Sequence, residues 1–231
     1  MALFQSPNMV TDQLLFSFDA ANPKSYAGSG VAWNNLIDGF DATLTNGPTY
    51  TTGADGYISF DGTNDYAAIT ITGGSFSTAE ATFITWIRRN GSNNSYTGLL
   101  FNRGGSPSTQ PTGMNFYSDV HKLGYHWNDS SSTWSFSGGP FVPDQTWTMA
   151  AVSVSSSAAN LYACNSNGIA VGTKTLSHSS ASFSFLDIGR DQFGSSRHFK
   201  GDISIVQMYK KALTAAEIKQ NFDAFKGRYG Y

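Results

Sequence analysis

The chain has 231 residues, a formal net charge of −2 and 13% charged side chains, against 40% hydrophobic and 14% aromatic. That length and apolar content suit one domain around one core, with solubility left to Ser, Thr, Asn and Gly. Its 14 Lys and Arg are scattered, which argues against nucleic acid as a partner, and no apolar run nears the roughly 20 residues of a membrane span.

Residues 1–12 form a polar arm ahead of a domain over 13–231. The arm has neither a basic start nor an apolar stretch, so a secretory leader is not expected. Next, Leu14, Phe16 and Phe18 share one face of a strand, with Leu15 and Ser17 on the other. Asp61-Gly62-Thr63-Asn64-Asp65 is a turn cluster, as are 90–94 and 165–168. Phe83, Thr85 and Ile87 oppose Ile84, Trp86 and Arg88, the pattern of an inner strand covered on both sides. His121 and His126 flank a turn and strand and read as exposed hydrogen-bonding groups. Ala150, Val152 and Val154 share one face of a further strand. The single cysteine, Cys164, sits in an apolar stretch and reads as a small buried hydrophobe. It excludes an intramolecular disulfide and a cysteine-built zinc site. In Phe183–Ile188 the apolar phase switches after Phe185, from either a bulge or burial on both faces.

The tail is helical, over about 214–226. Thr214 and Glu217 form a capping box, flanked by Leu213 and Ile218 as a hydrophobic staple. Ile218, Phe222 and Phe225 make one apolar stripe, and Gly227 is the expected terminator. Short strands between Gly/Asn/Ser turns, closed by one helix, indicate an all-β, two-sheet antiparallel jelly-roll sandwich with one C-terminal helix.

The order of motifs resembles laminin G-like, concanavalin A-like domains. Ile58-Ser59-Phe60-Asp61-Gly62-Thr63-Asn64-Asp65-Tyr66 is similar to their F-D-G-x-x-D-Y opening. Phe83–Arg88 and Asp144–Ala150 resemble the family's tryptophan-bearing strands, and Leu161-Tyr162 resembles its L-Y-hydrophobic-D-G hairpin. Phe199-Lys200-Gly201-Asp202-Ile203, Met208-Tyr209 and Ala212–Ile218 resemble the closing signature. Two departures stand out: Leu161–Gly168 has a longer turn without the usual aspartate, and Ile203-Ser204-Ile205-Val206 lacks carboxylates. The leader Phe18–Tyr26 with Gly30 and Trp33, and the tail Asn221–Gly230, resemble versions found in structural proteins of tailed bacteriophages. That narrower resemblance implies a virion-surface role, as capsid decoration or a tail or fibre component, with host-glycan binding alongside. The implied partners are virion capsid or tail proteins, a host surface glycan and further copies of the chain; the implied location is the virion. A free-standing lectin is the alternative.

Enzymes of this fold need paired carboxylates alternating on one strand. No such pattern occurs here, and the only glutamates are Glu80 and Glu217, so glycoside hydrolysis is the weaker alternative and no organic cofactor is expected. For glycan binding, aromatic faces beside amide and acid groups are the useful combination. They occur at Tyr125, Trp127, Asn128, Asp129 and Trp134, and again around Arg190 and Asp191, followed by Phe193, Arg197 and His198. Trp86 and Trp147 read as core, and Trp127 as core or platform. Asp61, Asn64 and Asp65 offer oxygens for calcium; the simpler reading is that Asp61 and Asn64 cap a tight turn.

Overall fold

The computed structural model describes residues 7–37, 39–71, 75–103, 110–119, 121–193 and 196–231. The first half contains β1 (Leu14–Asp19), β2 (Ala32–Trp33), β3 (Ala42–Thr45), β4 (Thr49–Thr51), β5 (Tyr57–Asp61), β6 (Tyr66–Thr70), β7 (Phe76–Thr78) and β8 (Ala81–Arg89). There follow β9 (Gly98–Asn102), β10 (Thr112–Phe116), β11 (Leu123–His126) and a single helical turn, α1 (Ser131–Trp134). The chain closes with β12 (Thr148–Val154), β13 (Ala158–Asn165), β14 (Gly168–Thr175), β15 (Ala181–Phe183), β16 (Phe185–Ile188), β17 (Lys200–Tyr209) and α2 (Ala215–Phe225).

Two large antiparallel sheets make the sandwich. One runs β14-β13-β12-β8-β17-β5-β4, and the other β11-β10-β9-β16-β6-β3-β2. At Ser204 the register of β17 slips, and its two halves pair with β5 and β1 on the same edge. Among the described residues no helix is long and apolar enough to cross a membrane.

Strand β8 shows why the fold has two cores. Its alternation sends Phe83 and Ile87 between the sheets, where they meet Phe16, Phe18, Val152, Phe183 and Met208. Ile84 and Trp86 point the other way, into a second core beneath α2 with Met149, Cys164, Ile218 and Phe222. Trp86 lies flat between Phe222 and Tyr229, at 5.6 and 4.2 Å between ring centres. Cys164 is buried there, and burial pushes its thiol up to about 12.

The capping box of α2 is fully formed. Glu217 N–H donates to Thr214 Oγ1 (3.3 Å), and Thr214 N–H donates back to Glu217 Oε2 (2.8 Å). The expected stop at Gly227 is not used. A 3-10 turn over Lys226–Tyr229 continues the helix, because Tyr229 is drawn onto Trp86, and Gly230 at φ +80° takes the left-handed end.

Two strand expectations need correcting. A register slip between Leu14 and Phe16 turns Leu14 onto the helix-side core, away from Phe16 and Phe18. The phase switch in 183–188 is neither a bulge nor two-sided burial of one strand. At Ser184 the chain leaves the small β7–β15 sheet and joins the second large sheet as β16. The first six residues of the polar arm lie outside the described residues, while 7–12 pack along α2. Val10 is buried, its N–H donates to Asn221 Oδ1 (2.7 Å), and its carbonyl accepts from the Tyr209 hydroxyl (2.9 Å).

Candidate ligand-binding site

A cleft of about 490 Å³ opens over the outer face of β9, β10 and β11. Three separate stretches supply its aromatic walls. Tyr96 comes from the turn before β9, Trp134 from α1, and Phe193 from the segment between β16 and β17. Phe193 is 68% exposed, a large apolar ring left in water.

The floor is charged. Asp191, fully buried, receives Arg103 through Nε and Nη2 and Arg197 through Nη1 at 2.6 Å. The Arg197 guanidinium also lies 4.4 Å from the Phe193 ring centre and 5.0 Å from that of Tyr96. Arg103 lies 5.0 Å from Phe193 and 5.5 Å from Phe101. Each guanidinium is therefore fixed by ring faces and by a shared carboxylate, which preorganises it. Gly98 permits this packing: a Cβ there would stand 2.2 Å from the Arg190 carbonyl oxygen, so the 190–193 segment could not lie against β9.

His126, at the end of β11, completes the floor. It is 4% exposed, contrary to the sequence expectation, and its Nδ1 has no hydrogen-bond partner among the described residues. Burial, then Arg103 and Arg197, push its pKa down to about 3, so it is neutral at pH 7. Asp129 and Ser131 finish the rim with acceptor and hydroxyl oxygens.

The sequence profile of the Concanavalin A-like lectin/glucanases superfamily matches residues 61–219. The chain belongs to that superfamily. Among curated proteins none matches it in sequence. The concanavalin A-like domain is similar in fold to a Trypanosoma rangeli sialidase solved with 2,3-difluorosialic acid, at 12% identity and a TM-score of 0.65. That match covers 96% of this chain but 35% of the sialidase, so the chain spans about a third of that relative. Domain 4 of AbnA, a GH43 extracellular arabinanase from Geobacillus stearothermophilus solved with arabinotriose, is matched over nearly its whole length. The figures are 16% identity and TM-score 0.65, covering 92% of this chain and 98% of that domain. The botulinum neurotoxin serotype G binding domain is a third, at 9% identity and TM-score 0.54, covering 90% and 50%.

The two aromatic and polar segments singled out in the sequence meet at this cleft, although several of their members play other parts in this concanavalin A-like domain. Asp129 and Trp134 line it. Tyr125 and Trp127 do not serve as stacking platforms: they are 1% and 2% exposed, because β11 turns Tyr125 into the main core and Trp127 follows it. The Tyr125 hydroxyl meets His178 Nε2 at 3.1 Å, and Trp127 Nε1 donates to the Ser179 carbonyl at 2.6 Å. Asn128 donates to Ser179 Oγ (3.1 Å) and the Ser180 carbonyl (3.0 Å), tying two loops together. Trp127 and Asn128 border a separate hollow of about 300 Å³. Arg190 is turned away, paired with Asp187 and set 3.4 Å from the Tyr66 ring centre. Asp191 acts from behind, as the anchor of both arginines. Tyr96, Arg103 and the floor role of His126 carried no signal in the sequence, because single residues near the ends of strands make no local pattern. The exposed ring of Phe193 beside Arg197 was the available signal.

The carboxylates near β16 do not face each other across the cleft. Asp187 is buried, and burial raises it to about 6 against the opposing pull of Arg190. Asp191 is committed to its arginines. Asp61, Asn64 and Asp65 lie in the turn after β5. There Asp61 Oδ1 accepts from Thr63 N–H (2.7 Å) and Asn64 N–H (3.3 Å), and Asp65 Oδ2 accepts from Asp61 N–H (3.0 Å). These backbone bonds, led by Thr63, hold the Asp61 carboxyl below its usual range. The turn-capping alternative describes their geometry, and among the described residues no group of three His, Cys, Asp or Glu could hold a metal.

Proposed function

We propose that this chain is a non-enzymatic carbohydrate-binding module, displayed on the surface of a tailed-phage virion, that holds a glycan in the cleft between Tyr96, Trp134 and Phe193. The observation that carries this reading is the convergence of three ring faces on fixed guanidiniums, a neutral imidazole and a rim carboxylate. Rings match the C–H faces of a sugar, while the polar groups match its hydroxyls. The arabinanase domain of the same fold was solved with arabinotriose, which supports carbohydrate as the ligand class. A non-catalytic role is supported by the carboxylates: the common mechanism of glycosidic hydrolysis uses two of them, about 5–9.5 Å apart and flanking the bond. Among the described residues that line the cleft Asp129 is the one carboxylate, with Asp191 sealed behind the arginines. The virion setting rests on the leader at 18–26 and the tail at 221–230, with capsid or tail proteins as partners.

Two experiments test this reading. A glycan array probed with the purified protein should give binding that Trp134→Ala removes without lowering the melting temperature; silence across the array would defeat the glycan assignment. Mass spectrometry of purified phage particles should find the chain at high copy number. Its absence there would favour a free-standing cellular lectin using the same cleft.

A further inference from the structure

We propose that the cleft selects a sugar bearing a carboxylate, which it binds against the paired guanidiniums of Arg103 and Arg197. This deepens the glycan reading above and rests on it. The three charges on the floor are arranged asymmetrically. Asp191 is completely buried, whereas the side chains of Arg103 and Arg197 keep 18% and 17% of their surface in contact with solvent. The negative group thus lies behind and the two positive groups lie in front, facing the opening. One carboxylate cannot neutralise two guanidiniums, so a unit of positive charge is left over where a ligand would sit.

The surroundings sharpen that excess. His126 lines the same floor and is kept neutral by burial and by both arginines, so the two guanidiniums alone carry the positive charge there. Phe193, Tyr96 and Phe101 hold the guanidinium planes in place, and a planar fork held still is the geometry that recognises a planar carboxylate. Asp129 opposes an anion, but it stands exposed on the rim, where water and salt screen it. It is better placed to accept the sugar's hydroxyls.

Titration calorimetry at low and at physiological salt would compare trigalacturonic acid with its methyl ester, and sialyllactose with lactose. At least one acid should bind about tenfold or more tightly than its uncharged counterpart. The preference should shrink with salt and disappear in Arg197→Gln. Uncharged counterparts binding as tightly as the acids would overturn the acidic class while leaving the glycan reading in place. No heat from any of the four, together with a silent glycan array, would overturn both. The comparison of acid with ester uses the unmodified protein, so it decides the matter even if Arg197→Gln fails to fold.

Discussion

Replacing Asp191 with Asn would leave Arg103 and Arg197 side by side across a neutral amide. In the native protein both guanidiniums reach this one buried carboxylate, through three hydrogen bonds. A hydrogen bond to a charged group contributes about 1.5–3 kcal/mol, and breaking a buried ion pair costs about 3–5 kcal/mol. Two features reduce that cost here. The guanidiniums retain 18% and 17% exposure and can be partly rehydrated, and the amide oxygen can still accept one bond. The expected loss is about 2–3 kcal/mol, a large share of the roughly 5–15 kcal/mol that holds a domain folded. Urea unfolding followed by tryptophan fluorescence would measure it, provided the slope of the transition is unchanged. A loss below about 0.5 kcal/mol, the scale of a neutral surface change, would refute the anchoring role of Asp191.

Trp86→Ala should cost about 3–5 kcal/mol, because the ring is fully buried and stacked on both Phe222 and Tyr229; far-ultraviolet and thermal melts of the variant would show a destabilised fold with its α2 packing loosened. His126 should make the protein acid-sensitive. Its folded-state pKa of about 3 lies below the unfolded 6.5, so between those values the unfolded chain takes up a proton that the folded chain refuses, and stability falls as pH falls. Asp187, raised to about 6, works in the opposite direction, gaining stability as it protonates. The difference between wild type and His126→Asn isolates the histidine: wild type should lose about 2 kcal/mol relative to the variant between pH 7 and pH 5, and parallel pH profiles would contradict its burial in neutral form. Cys164 should resist thiol reagents in the folded protein and react at once in denaturant, since burial raises its thiol to about 12; rapid labelling of the folded chain would be inconsistent with the second core.

Much of the fold was legible because local patterns carry it. The alternation in 83–88 and the capping box at Thr214 and Glu217 each encode a burial decision within a few residues, and β8 and α2 follow them. Where a long-range contact intervenes, the local signal misleads. The slip near Leu14 answers to pairing with β17, the transfer at Ser184 answers to two different sheets, and Gly227 is overridden by the packing of Tyr229 on Trp86. The cleft was half legible for the same reason. Trp134, Asp129, Phe193 and Arg197 lie in segments whose composition marks them, and His126 lies in one of these but was expected at the surface, whereas Tyr96 and Arg103 join only because β9, β10 and β11 are neighbours. Trp127 follows the face of β11 that meets the core, because alternation through Leu123 and Tyr125 turns the chain's apolar side inward.

Occupation of this cleft by a glycan is what the proposed function stands on. The most direct measurement is the set of indole N–H signals from the five tryptophans during titration with an oligosaccharide that the array identifies. Trp134 alone among them lines the cleft, while Trp33, Trp86, Trp127 and Trp147 are buried elsewhere. The Trp134 signal should move in proportion to occupancy while those of Trp33, Trp86 and Trp147 stay fixed. Binding that leaves Trp134 unmoved would contradict the account.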